Sequence, residues 1–96
     1  MCNRTAVLFA AQTVSMQARC GQLTAHAVDT MRTKAEELLD HDDDLRPAVL
    51  SFATMYEAHR RDAYAVEKLG EELGRAVGQA LNPEARPLRE RRDIDG

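Results

Sequence analysis

His26 with Asp29 and His59 with Asp62 are the residues best typed and spaced for chemistry. Each pair sits three residues apart, so on a helix each shares one face. In an antiparallel register the two pairs come close, and imidazole plus carboxylate can ligate a metal between chains. The plainer reading differs. His26 falls on a polar arc, and His59, with Arg32 nearby, suits a buried polar layer that fixes helix register. His41, among Asp40 and Asp42–Asp44, can attract a cation, but the run lacks the Gly and the closing Glu of a calcium loop. Di-iron bundles use Glu-x-x-His. Here Glu36, Glu37, Glu57 and Glu67 are followed three residues on by Leu39, Asp40, Arg60 and Gly70.

Catalytic arrangements are equally sparse. Ser15 and Ser51 have no Ser/His/acid pattern around them. There is no Gly-rich phosphate loop. Gly70, Gly74 and Gly78 recur every four residues, as on a helix face packed close to a neighbour. Cys2 and Cys20 on one helix would stand about 27 Å apart, beyond the reach of a disulfide. They read as free thiols of a reducing compartment. No catalytic, cofactor or metal residue is assigned, and no small-molecule substrate is indicated.

The elements that position these residues are set by composition. The chain has 96 residues and a net charge of −3. Leu, Ile, Val and Phe number 10, 1, 6 and 2, about one fifth of the chain. Ala adds 15, and there is no Trp. That excludes a β-sandwich or barrel and allows only a thin core. The charge concentrates in residues 40–46, which alone carry −3. No basic face emerges, so nucleic-acid binding is disfavoured. No apolar run reaches the ~18–20 residues of a membrane span. Ala6–Ala11 stays in phase with a helix and is read as mature sequence, which places the protein in the cytoplasm without excluding leaderless export.

Two helical patterns span the chain. The first, over about 4–39, carries a stripe of Val7, Ala11, Val14, Ala18, Gly21, Ala25, Val28, Ala35 and Leu39. Asn3 or Thr5 can cap it. Gly21 costs about 1 kcal/mol within it but does not break it. The second, over about 45–81, carries Phe52, Tyr56, His59, Ala63, Val66, Gly70, Leu73, Val77 and Leu81. Asp44 is its expected N-cap, and Pro47 falls in its first turn. A short connection between them predicts a long antiparallel hairpin. Its seam is expected at Val14, Ala18, Gly21, Val28, Tyr56, His59, Val66, Gly70, Leu73 and Val77, with Gly21 and Ala18 near Val66 and Gly70. Residues 1–82 form this domain. Residues 83–96, with two prolines and eight charges, read as a flexible charged tail.

The first helix has a second apolar stripe: Phe9, Met16, Cys20, Leu23, Ala27, Met31 and Leu38. A hairpin covers one side only, so this face needs a partner. Two hairpins packed through it make a four-helix bundle. Met residues suit an adaptable interface. The expectation is therefore a non-enzymatic interaction module: a homodimer, or an adaptor, chaperone or inhibitor docked on another protein, such as a bacterium- or phage-encoded inhibitor.

Length, two long helices and a C-terminal tail resemble the small secreted hairpin proteins of type VII secretion. That resemblance implies a secretion-system component. The family's Trp-x-Gly turn and its Tyr-x-x-x-Asp/Glu tail signal are both absent here. Pro47-Ala48-Val49-Leu50 after an acidic turn resembles type III needle subunits, although the first helix is longer than theirs. A metal-binding bundle is the remaining alternative.

Overall fold

A computed structural model describes residues 3–82. Helix occupies 81% of them, which leaves room only for short turns. The elements are α1 (Asn3–Arg19), α2 (Ala25–Leu38), α3 (Leu45–His59) and α4 (Ala63–Leu81). The all-α expectation holds. The two unbroken helices over 4–39 and 45–81 do not: each is divided in two. The expected tail, 83–96, and Cys2 lie outside the described residues.

The first break is made by Gly21 and Thr24. Gly21 has φ +72°, a left-handed conformation that a residue without Cβ adopts most readily. The Gly21 amide donates to Ala18 O and the Gln22 amide to Gln17 O at 2.8 Å. Together these close a Schellman end on α1. Thr24 then caps α2, its hydroxyl accepting from the Ala27 amide. Gly21 is exposed in this turn and is not part of a seam.

The second break uses neither Gly nor Pro. The Asp62 carboxylate accepts from the Ala65 amide at 3.1 Å and caps α4. His59, expected as a buried polar layer, is exposed in the last turn of α3.

Between α2 and α3 the capping carboxylate is Asp43, not Asp44. Asp43 Oδ1 accepts from the Leu45 amide at 2.9 Å, whereas Asp44 makes no side-chain cap. Arg4 Nε donates to Asp43 Oδ2 at 2.9 Å and ties the start of α1 to this turn. Partial burial pushes the Asp43 carboxyl up. The Leu45 and Arg4 hydrogen bonds and the Arg4 charge outweigh it, so the group sits below the usual carboxylate range. Pro47 lies in the first turn of α3, as its missing N–H permits. Asn3 and Thr5 both lie within the first turn of α1 rather than before it.

α1 packs on α2 and α4, and α3 packs on the same two. The Arg4–Asp43 pair brings the start of α1 to the turn after α2, and Gly70 and Gly74 face Ala18 and Ser15 in turn, so α1 runs antiparallel to both α2 and α4. Its core takes Val7, Ala11, Val14 and Ala18 from α1, and Val28, Met31 and Ala35 from α2. Val49, Phe52 and Tyr56 come from α3, and Val66, Leu73 and Val77 from α4. Four helices thus meet within one chain, where the sequence reading needed a second copy to supply two of them.

The tightest approach is between α1 and α4. A Cβ on Gly70 would stand 2.7 Å from Ala18 Cβ and 3.1 Å from Ser15 O. Buried Ser15 donates its hydroxyl to Gly70 O at 2.7 Å. Small residues let the backbones meet, and the meeting leaves no buried hydroxyl unpaired.

Candidate interaction surface

The break at residues 20–24 separates the two halves of the expected interface. Reversing the chain turns the α2 half inward. Met31 is fully buried, and Leu23, Ala27 and Leu38 are partly buried against the core. Met31 therefore belongs to the core, because the phase of one continuous helix does not carry across the turn. The α1 half stays outside. Phe9 is 60% and Met16 53% exposed. Cys20, at the end of α1, is an exposed free thiol.

A groove runs along this face between α1 and α4. Gln12, Ser15, Met16 and Arg19 line it from α1, at i, i+3, i+4 and i+7. Phe9 extends that row one turn beyond Gln12. The α4 wall holds Glu71, Gly74, Arg75, Val77, Gly78 and Leu81. Leu81 is 58% exposed. It shares the 100° stripe with Val77 but is exposed at the end of α4. Gly74 and Gly78 differ. A Cβ on Gly74 would meet Ser15 Oγ at 2.8 Å, whereas Gly78 has open space above it. The close-packing glycine run is thus used by α1 at two positions and left bare at the third.

The groove's charges are mixed. Glu71 lies 3.6 Å from Lys68. Among the described residues, Arg19 and Arg75 form no ion pair with a carboxylate. Elsewhere on the surface Tyr64 is exposed, with Lys68 Nζ 5.3 Å from its ring centroid.

The two carboxylates of the metal-type pairs are occupied structurally. Asp29 pairs with Arg32 one turn on, and Asp62 caps α4. Among the described residues no group of three or more His, Cys, Asp or Glu side chains is placed to hold a metal. The expected seam residues Val14, Ala18, Val28, Tyr56, Val66, Gly70, Leu73 and Val77 are buried. Sequence reasoning missed Ser15 and Asp43 as structural hydrogen-bonding residues. Ser15's signal was its spacing, four residues after Ala11 and three before Ala18, which puts it on the side facing Gly70.

Among the described residues no helix is long and apolar enough to cross a membrane. The chain matches no family model, no curated protein and no solved structure.

Proposed function

We propose that the protein is a non-enzymatic protein–protein interaction module, a small adaptor, chaperone or inhibitor, acting through the outer face of α1. The observation that carries this is the row Phe9, Met16 and Leu81. Met16 and Leu81 line one groove and are more than half exposed, and Phe9, 60% exposed, stands two turns from Met16 on the same side of α1. Scattered exposed apolar residues need no explanation, but a contiguous set around a trough marks an interaction site. The bundle's own core is filled from the other side of α1, so this row is not needed for folding.

The partner is a second copy or a different protein. Homodimerisation through this face pairs two bundles rather than completing one. The experiment compares wild type with the Phe9→Glu, Met16→Glu double variant. Sedimentation reads self-association, and co-purification from the source cells reads a heterologous partner. The variant is expected to lose whichever complex wild type forms while keeping its helical signal. A complex that survives both substitutions, or wild type that forms none, contradicts the reading.

A further inference from the structure

We propose that the α1–α4 groove takes a single amphipathic helix of a partner protein, with a small residue over Gly78 and carboxylates on its flanks. This rests on the interaction reading above and names the occupant. The groove extends from Arg19 on α1 to Leu81 on α4. Thirteen to fourteen helical residues cover such a strip, about 20 Å. Met16 on one wall and Leu81 on the other line it, with Phe9 one turn beyond its α1 wall, and offer anchors to the apolar face of such a helix.

The floor selects close approach. Gly70 and Gly74 are required by α1, but nothing in the described chain lies within 4 Å of a Cβ on Gly78. A mid-helix glycine with no internal contact leaves bare backbone facing outward, where another helix with Ala, Gly or Ser can settle. The walls select charge. Arg19 and Arg75 border the groove without a carboxylate partner among the described residues, and Glu71 has Lys68 beside it. The strip is therefore net positive and complements acidic flanks.

A second copy fits less well. Isologous pairing sets two positive strips against each other. The three exposed side chains offer on the order of 300 Å² of apolar surface, well short of the ~800 Å² per partner of a stable protein pair. A lone helix needs less.

The test is selection of displayed 14-residue amphipathic helices, randomised in flank charge, on the full-length protein. Gly78→Leu is the counter-variant. A Cβ there meets nothing within 4 Å and the position is exposed, so the bundle is expected to keep its fold while the trough fills. Selected helices are expected to carry Asp or Glu flanks and to bind Gly78→Leu at least ten-fold more weakly. They should also lose affinity with Arg19→Glu plus Arg75→Glu, and with rising salt. Helices with neutral or basic flanks that still discriminate Gly78→Leu overturn the acidic-helix assignment while leaving the groove an interface. Binding indifferent to Gly78→Leu overturns both. So does no selection at all. Self-association of wild type that Gly78→Leu abolishes overturns the helix in favour of a second copy.

Discussion

Gly70 faces Ala18 with no room for a side chain between them: the Cβ that Gly70 lacks would lie 2.7 Å from the Cβ of Ala18. That contact fixes the distance between α1 and α4. It also fixes the depth of the groove on their outer side, so fold and candidate site share one determinant.

Two glycine substitutions on one helix separate these roles. Gly70→Ala presses on Ala18 Cβ and the Ser15 carbonyl, neither of which can swing away. Overpacking costs about 1–3 kcal/mol, and the better helix propensity of Ala returns about 1 kcal/mol. Net destabilisation of up to about 2 kcal/mol is expected by urea titration. Gly78→Ala meets nothing and is expected to stabilise by up to about 1 kcal/mol.

Gly21→Ala discriminates a turn from a continuous helix by sign. In a helix interior, Ala would stabilise by about 1 kcal/mol. At φ +72° it is expected to destabilise by about 1–2 kcal/mol. The urea midpoint reads the sign directly.

Much of the packing was legible and the chain reversals were not. Ala18 against Gly70 follows from two antiparallel stripes with small residues at matching positions. Gly21 was weighed as a tolerable cost inside a helix, whereas with Thr24 three residues on it ends one helix and begins another. Asp62 was read as a metal-type residue, because its capping role shows only once α3 has ended. One unbroken helix points Met31 outward and calls for a second chain to cover it; the reversal at Gly21–Thr24 turns it into the core. The surviving part of the expected face, Phe9 and Met16, is the part whose helix was read in the correct phase.

Asp43 makes stability pH-dependent in a known direction. Its folded-state carboxyl lies below its ordinary value of 3.8. A depressed carboxylate contributes stability that is complete above the unfolded value and lost as pH falls through the folded one. Asn keeps an oxygen to cap the Leu45 amide but loses the charge that faces Arg4, so Asp43→Asn is expected to be less stable than wild type at pH 7 by about 0.5 kcal/mol. The gap should narrow below about pH 4. Thermal melts of both proteins across pH 2–7 measure it. A gap independent of pH would show that the Asp43 charge plays no part.

The exposed row should be dispensable for folding. Phe9→Glu with Met16→Glu alters only surface positions, whose substitutions usually change stability by less than about 0.5 kcal/mol each. The melting temperature is expected to move by no more than a few degrees. Met31→Glu, which buries a charge in the core, is expected to unfold the protein.

The central claim is that the α1–α4 face, and not the remainder of the surface, meets a partner. Site-specific photo-crosslinking in the source cells tests it most directly, with a photoreactive side chain placed at Met16 in one protein and at exposed Glu67 in another. The account predicts a discrete adduct from position 16 and none from position 67. No adduct from position 16, or the same adduct from both positions, contradicts it.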